Sequence, residues 1–164
     1  MKKYKWKRRE KFMILSTLCY IEKEGQYLML HRTKKKKDIN QDKWIGVGGK
    51  FEEGESPEEC ILREVKEETG LTLKSYQLRC IVTYVSTNWE TEYMYVFTSD
   101  EFEGDLIECT EGDLQWIDKE KVLQLNTWEG DKIFLKKIQK DQSFFTAKFA
   151  YDGDQLLQYQ IKEY

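Results

Sequence analysis

Residues 49–71, GKFEEGESPEECILREVKEETGL, constrain the fold most, because they predict a short helix whose two ends are both marked. Ser56 is a favoured N-cap, and Pro57 suits the first helical turn. Glu59 follows three residues after Ser56 and completes a capping box. Gly70 is a favoured C-terminal cap. The segment therefore predicts one helix that follows a glycine-containing turn.

The sides of this helix differ in character. At about 100° of rotation per residue, one stripe is apolar and packs inward, whereas an adjoining stripe presents three carboxylates. The apolar stripe consists of Ile61, Leu62 and Val65, and the acidic stripe consists of Glu64, Glu67 and Glu68. The sequence thus predicts a helix that buries one face and offers carboxylates on another.

The acidic stripe requires a positive partner. Glu64 is three and four residues from Glu67 and Glu68, and each such like-charge pair costs a helix roughly 0.2–0.5 kcal/mol. Arg63 and Lys66 are expected to project at other angles, so a bound divalent cation is the better neutraliser. Oxygen ligands suit a hard ion such as Mg²⁺ or Mn²⁺. The alternative is an acidic face that is simply solvated.

A glycine-rich segment, WIGVGGK at residues 44–50, precedes the helix. Its glycines allow the backbone to approach a ligand closely, and Lys50 supplies a cation for a phosphate. The two segments together fit G-x5-E-x7-R-E-U-x-E-E-x-G-U, where U is bulky and apolar, at Gly49, Glu55, Arg63, Glu64, Val65, Glu67, Glu68, Gly70 and Leu71. Through this pattern the chain resembles the Nudix hydrolase superfamily. Nine positions at fixed spacing are too many for chance agreement.

Length and charge predict a single domain with a basic arm. The chain has 164 residues, of which 40% are hydrophobic, and this suits one compact domain, residues 12–164. The net charge of −3 argues against a dedicated nucleic-acid binder. Residues 1–11 carry seven Lys or Arg and one Glu, whereas the remainder has a net charge of −9. We therefore expect no stable nucleic-acid partner for the acidic body.

Several other classes of protein and site are disfavoured. No small-residue cleavage site follows the basic start, and no apolar run approaches the roughly 20 residues of a membrane span. The four cysteines are isolated and lack CxxC spacing, which favours reduced thiols and a cytoplasmic location. Because His31 is the single histidine, the sequence argues against Cys-His, Ser-His-Asp and zinc sites. Neither a membrane partner nor an oligomeric state is predicted.

The order of secondary structure predicts an α+β fold. We expect a hairpin at 12–21 and 26–32, further strands at 77–87, 91–98 and 113–118, and a closing hairpin at 144–150 and 156–161. Helical turns are predicted at 119–125, a second full helix at 127–140, and an exposed basic loop at 33–43. The Nudix resemblance implies the same class, as an α/β/α sandwich with a mixed β-sheet.

The resemblance extends to MutT-like nucleoside triphosphate diphosphohydrolases and implies a divalent metal, Mg²⁺ or Mn²⁺. Its implied ligands are the Gly48 carbonyl, Glu64, Glu67, Glu68 and Glu111. Glu64 is the first candidate for the general base and Glu67 the second, and Arg63 is expected to hold a neighbouring carboxylate. Lys50 would contact a phosphate, and Trp128 and Asp131 would bind a nucleobase. For Trp128, packing in the core is the alternative.

The substrate implied is a nucleoside triphosphate, cleaved to a monophosphate and pyrophosphate, with oxidised purines such as 8-oxo-dGTP as candidates. Two positions depart from the animal oxidised-purine enzymes. Ile45 replaces an asparagine, and Gly130 precedes Asp131 where those enzymes have two adjacent aspartates. Hydrolysis of ADP-ribose or a dinucleoside polyphosphate stays open, as does a regulator that binds nucleotide without turnover. The complete carboxylate set argues against the regulator.

Overall fold

The computed structural model describes residues 12–164, so the predicted basic arm lies outside the described residues. Their strands are β1 Ile14–Lys23, β2 Gln26–His31, β3 Trp44–Ile45, β4 Val47–Lys50, β5 Thr72–Ser86, β6 Glu92–Glu103, β7 Asp113–Asp118, β8 Phe145–Asp152 and β9 Gln155–Glu163. Their helices are α1 Pro57–Thr69, α2 Lys119–Val122 and α3 Glu129–Lys140. No helix among residues 12–164 is long and apolar enough to cross a membrane.

Helix α1 begins and ends where the sequence predicts. The Ser56 hydroxyl accepts a hydrogen bond from the Glu59 N–H at 3.1 Å, and the Glu59 carboxylate accepts one from the Ser56 N–H at 2.8 Å. Gly70 adopts a left-handed conformation with φ of 80°, and its N–H donates to the Lys66 carbonyl. Because a non-glycine residue is strained at this φ, the C-terminal glycine is required by the backbone.

The strands form one mixed sheet. Its order is β3-β2-β1-β6-β5-β8-β9, with β4 also paired to β1 and β7 to β2. The pairs β1–β6 and β5–β8 are parallel, whereas the other pairs are antiparallel. The pairing of β1 with both β4 and β6 brings the glycine-rich segment next to the centre of the sheet.

Two hydrophobic cores lie on opposite faces of this sheet, because successive residues of β1 point to opposite sides. The core beneath α1 includes Cys19, Ile21, Ile61 and Val65. The core beneath α3 includes Leu18, Tyr20, Phe134 and Leu135. The predicted α/β/α sandwich is therefore confirmed.

The predicted strand boundaries were less accurate in three places, one of which is the end of β6, five residues beyond the predicted 98. Strand β5 begins five residues before the predicted 77, because bulges between Leu73 and Cys80 interrupt the alternation on which the prediction rests. The glycine-rich segment, predicted only as a close-approach turn, contains β3 and β4. Glycine has low strand propensity, so pairing with β1 and β2, and not local preference, makes these residues extended.

Candidate active site

The two glycines of β4 let this strand lie between β1 and helix α1. A Cβ atom on Gly48 would lie 2.0 Å from the Thr17 carbonyl oxygen, and one on Gly49 would lie 2.4 Å from the Glu64 carboxyl. The groups that closely approach these glycines are thus the Thr17 backbone and the Glu64 side chain, and not a ligand as the sequence suggested. This close approach presses the backbone of β4 against the acidic stripe of α1.

Three carboxyl groups converge at one wall of a cavity, those of Glu64, Glu68 and Glu111. Glu68 is 8% exposed and accepts a hydrogen bond from the Gly48 N–H at 3.3 Å. Burial, together with the neighbouring Glu111 carboxyl, raises the pKa of Glu68 well above its ordinary value. Burial also raises the pKa of Glu64, although Arg63 opposes this effect. The wall therefore holds acidic groups whose charges burial disfavours.

Glu67 does not share this wall. Its side chain is 59% exposed, and it is absent from the cavity lining. On the helix Glu68 lies about 40° from Glu64 towards the sheet, whereas Glu67 lies about 60° away on the solvent side. The single stripe predicted from the sequence is thus divided between an inner pair and an outer residue.

Arg63 lies among the carboxylates, so the expectation that it projects away from them was wrong. Its guanidinium donates to both oxygens of Glu55 at 2.7 and 2.8 Å, to Glu64 at 2.7 Å and to Glu67 at 3.3 Å. A fifth hydrogen bond, of 3.0 Å, reaches the Lys50 carbonyl oxygen. The long side chain curves along the helix, which an angular projection of Cβ positions does not capture.

These contacts tie α1 to the loop before it. Hydrogen bonds from Arg63 and from the Glu52 N–H lower the pKa of Glu55 to about 2. The same partnership raises the pKa of Arg63 above its ordinary value. Arg63 therefore neutralises part of the acidic stripe and fixes the orientation of the Glu64 carboxyl, as expected of a residue that holds a neighbouring carboxylate.

Glu111 reaches the same wall from the turn before β7. Its carboxylate is paired with Arg32 and, at 2.8 Å, with Lys35. Burial acts to raise its pKa, but hydrogen bonds from Lys35 and Glu68 outweigh burial and lower it. Gly112 fixes the turn, because a Cβ atom there would lie 1.8 Å from the His31 carbonyl oxygen. Because β7 pairs with β2, the turn before β7 places Glu111 near the carboxyl groups of α1.

The loop at 33–43 contributes more than a solvated basic surface. Lys34 to Lys37 are exposed, as predicted, but Lys35 and Lys37 also line the cavity. Asp38 is almost buried and accepts from Arg32 at 2.7 Å. Arg32, Asp38 and Lys35 were missed as site residues, because the sequence offered only a strand end and a lysine run.

The other end of the cavity is aromatic. The Trp128 Nε1–H donates to the Asn40 side-chain oxygen at 2.8 Å, and the ring meets Tyr151 edge-on with centroids 5.3 Å apart. The Lys43 ammonium lies 4.6 Å from the Trp128 ring centroid. Trp128 is only partly buried, so it both packs against Tyr151 and exposes ring surface to the cavity.

Asp131 lies beside this tryptophan and is 4% exposed. The Tyr84 hydroxyl donates to its Oδ1, and burial raises the pKa of Asp131 to about 7. The residue before it is glycine because a Cβ at Gly130 would lie 2.7 Å from the Tyr151 hydroxyl, which accepts the Gly130 N–H. A second aspartate at that position would therefore clash.

One cavity of about 610 Å³ joins the acidic and aromatic ends. Of the predicted site residues, those that line it are Gly48, Lys50, Glu64, Glu68, Glu111, Trp128 and Asp131. Arg63 and Glu67 do not line it, and Ile45 contributes apolar surface where an asparagine was noted as missing. The lining residues Tyr84, Tyr151 and Asn40 were not predicted from the sequence, because their positions depend on strand and loop neighbours distant in sequence.

The residues at the acidic end suit a hard divalent cation. In the described part of the chain, no three His, Cys, Asp or Glu residues are arranged closely enough to hold a metal ion as they stand. However, the Glu68 carboxyl lies close enough to the carboxyls of Glu111 and Glu64 for both to raise its pKa. An all-oxygen donor set of partly buried carboxyls matches the preference of Mg²⁺ or Mn²⁺.

Comparison with known proteins agrees with this geometry. The NUDIX domain model matches residues 14–138. The chain is 31% identical over 153 residues to an oxidized purine nucleoside triphosphate hydrolase from Danio rerio, covering 91% of this chain and 94% of the relative. It is also 29% identical over 151 residues to the uncharacterized Nudix hydrolase YvcI from Bacillus subtilis, covering 88% and 92%.

Solved structures show the same fold. A MutT protein from Bacillus halodurans superposes with a TM-score of 0.80 at 30% identity, covering 91% of this chain and 97% of that one. A MutT protein from Methanosarcina mazei gives a TM-score of 0.71 at 28% identity, covering 80% and 96%. With its sequence pattern, its sandwich fold and these relatives, the chain belongs to the NUDIX family and is a MutT-like Nudix hydrolase.

Proposed function

We propose that this Nudix hydrolase cleaves nucleoside triphosphates, with purines preferred, to a nucleoside monophosphate and pyrophosphate in a metal-dependent reaction. The observation that carries the proposal is that one cavity joins a carboxylate-lined end to an aromatic end. A nucleotide matches both ends, because its polyphosphate binds cations that the carboxylates can hold and its flat base can stack on the aromatic residues. The relative from Danio rerio, named as an oxidized purine nucleoside triphosphate hydrolase, supports the same substrate class.

At the acidic end we assign the metal to Glu64, Glu68, Glu111 and the Gly48 carbonyl, with Glu67 as an outer ligand. Nudix hydrolases generally use a divalent metal. Mg²⁺ or Mn²⁺ supplies neutralisation of phosphate charge and lowers the pKa of bound water. Lys50 and Lys35 line the cavity and supply further positive charge for the phosphates.

Glu64 is the proposed general base and Glu67 the alternative. Glu64 lines the cavity, and burial raises its pKa in the absence of metal, whereas a cation bound to the same carboxylate would lower that pKa and weaken it as a base. Glu67 is largely exposed outside the cavity, and this disfavours direct contact with substrate. Arg63 is a positioning residue, since its hydrogen bonds end on Glu55, Glu64, Glu67 and the Lys50 backbone.

At the aromatic end, Trp128 provides a stacking surface and Asp131 a hydrogen-bonding group for the base. A pKa near 7 allows Asp131 to donate a hydrogen bond when protonated and to accept one when ionised. Ile45 gives no hydrogen bond, so the loss of an asparagine there should loosen base discrimination. We also propose a cytoplasmic location, for which the four free cysteines are the support.

The decisive experiment is product analysis with Mg²⁺ and Mn²⁺. The panel contains 8-oxo-dGTP, dGTP, dATP, dCTP, ADP-ribose and a dinucleoside polyphosphate, with EDTA as the control. We expect pyrophosphate and a monophosphate from purine triphosphates, and no product with EDTA. Preferential hydrolysis of ADP-ribose or of a dinucleoside polyphosphate would show that nucleoside triphosphates are not the preferred substrate. Nucleotide binding without any product would favour the regulator.

A further inference from the structure

The sheet beneath the aromatic end carries a polar patch that the proposed catalysis does not use. Strand β6 lies between β1 and β5, and Glu92 pairs with Ile14 on one side and with Tyr84 on the other. Ser16 follows two residues after Ile14 and therefore lies on the same face. These residues all line the cavity. Its floor thus presents one carboxyl and two hydroxyl groups from neighbouring strands.

The Ser16 hydroxyl is buried without a hydrogen-bond partner among residues 12–164. Ser16 is 5% exposed, and its Oγ is fully covered. It lies close enough to the Glu92 carboxyl to lower the pKa of that group, but it does not reach hydrogen-bond geometry with any described atom. Buried hydroxyls in folded proteins are nearly always paired, so a ligand in the cavity is the natural partner for this one.

The Glu92 carboxyl, which lies beside Ser16, is the second polar group of this floor and has no cationic partner in contact among residues 12–164. Burial raises its pKa, and no ion pair joins it to any residue in the described chain. Its nearest cationic influence is Lys50, at the phosphate end. Glu92 is half-buried and lines the cavity, so its carboxylate can accept hydrogen bonds from a bound ligand.

Asp131 and Glu92 are close enough for the charge of Glu92 to raise the pKa of Asp131. Two neighbouring buried carboxyls favour a state with one proton between them. Asp131 is the deeper of the two, and its pKa of about 7 allows it to donate a hydrogen bond when protonated, while an ionised Glu92 would accept. The pocket then offers a donor on one side of a base and an acceptor pair on the other.

We propose that Glu92 and Ser16 recognise the amino edge of a guanine-type base, with the Glu92 carboxylate accepting from N1–H and the 2-amino group. The Ser16 hydroxyl accepts the second hydrogen of that amino group. A carboxylate has two oxygens side by side and matches two adjacent donors, whereas adenine offers a donor beside an acceptor on its edge. This inference rests on the proposed function and deepens it by naming the base.

The test compares dGTP with dITP, which differ only by the 2-amino group. We expect the wild type to prefer dGTP in kcat/KM by at least about 10-fold, because a site that hydrogen-bonds a group rejects the analogue lacking it. Glu92→Gln should reduce this ratio to within about 2-fold, since one of its two positions becomes a donor. Glu101→Gln, an exposed change on the same strand, should leave the ratio unaltered.

Binding of dGMP and dIMP, measured by calorimetry, separates this inference from the proposed function. If no triphosphate is hydrolysed but dGMP binds more tightly than dIMP only when Glu92 is present, the inference stands and the function fails. If triphosphates are hydrolysed but the wild type binds dGMP and dIMP equally, the function stands and the role of Glu92 is overturned. A preference retained in Glu92→Gln would also overturn it.

Discussion

At the scale of single residues, burial determines which acidic groups of the site carry charge. Glu68 and Asp131 are both nearly inaccessible, and burial raises the pKa of each. Glu55 is half-buried but is paired with Arg63 through both carboxylate oxygens, and its pKa is about 2. Three carboxyl side chains of one small domain thus differ in protonation because of their surroundings, and this difference is open to measurement.

We expect Glu68→Gln to separate metal binding from folding. Glu68 carries a raised pKa, so the neutral amide should leave the thermal stability of the metal-free protein about unchanged. It should lower kcat on the order of 10²-fold or more, by removing a charged contact at the reacting phosphate. It should also abolish the proton release that accompanies Mg²⁺ binding to wild type, measured by calorimetry in buffers of different ionisation enthalpy.

The matched control is Glu53→Gln, an exposed change in the loop before α1, which should retain full activity and proton release. Near-wild-type kcat in Glu68→Gln, or loss of its folded structure, would contradict the assignment of Glu68 as a ligand.

Asp131 should make stability depend on pH in a defined direction. Its pKa is raised from 3.8 to about 7, so the folded protein binds this proton more tightly than the unfolded chain. The resulting stability is fully present below about pH 4 and is lost as pH rises through 7. Between pH 5 and 8, wild type should lose up to about 2–3 kcal/mol relative to Asp131→Asn, measured by urea unfolding. Parallel stability curves would show that Asp131 is ionised throughout.

At the scale of elements, the site depends on how closely β4 lies between β1 and α1. The two glycines of β4 face different neighbours, one a backbone carbonyl and the other the end of a flexible side chain. A rigid backbone cannot move aside, whereas the Glu64 carboxyl can rotate away. Adding a methyl group should therefore affect mainly protein stability at Gly48 and mainly catalysis at Gly49.

We expect Gly48→Ala to destabilise the protein by about 1–3 kcal/mol, because its Cβ would overlap the Thr17 carbonyl. Gly49→Ala should cost less stability, since only the Glu64 side chain must move, yet it should lower kcat at least about 10-fold by displacing that carboxyl. Thermal unfolding and kcat of the two variants provide the comparison, and each serves as the control for the other. Equal losses of stability would contradict the different roles.

At the scale of the whole molecule, residues 12–164 form a sandwich with a core on each face of the sheet. The NUDIX match begins at residue 14. Phe12 and Met13 are largely exposed where the described chain begins. The body of residues 12–164 also carries the net negative charge, so the basic arm is electrostatically distinct from it.

We expect deletion of residues 1–11 to leave the free energy of unfolding within about 0.5 kcal/mol of the full chain, because the two described cores are built from residues 12–164 and the NUDIX match begins at residue 14. The kcat/KM for a purine triphosphate should also be unchanged. Urea unfolding and steady-state kinetics of both proteins make the comparison. A large loss of stability or activity would assign residues 1–11 to the fold or to the site.

Much of this architecture was predictable from local pattern. The limits of α1, the hairpin turn at Glu24 and Gly25, and the α+β class follow from caps, turn residues and alternation, all of which act between neighbours in sequence. The grouping of Glu64 with Glu68 follows from helical spacing. The length of β5 and the strand character of β3 and β4 did not follow, because bulges and glycines hide the alternation.

Local sequence thus predicts which residues carry the chemistry, since the spacing of the Nudix pattern is a property of one turn and one helix. Tertiary structure alone decides how they are partnered. Arg63 folds back onto its own carboxylates, Glu67 faces solvent, and Glu92 reaches the cavity floor through strand pairing. The physical reason is that burial and hydrogen bonding depend on atoms brought together by the sheet, which are remote in sequence and leave no local pattern.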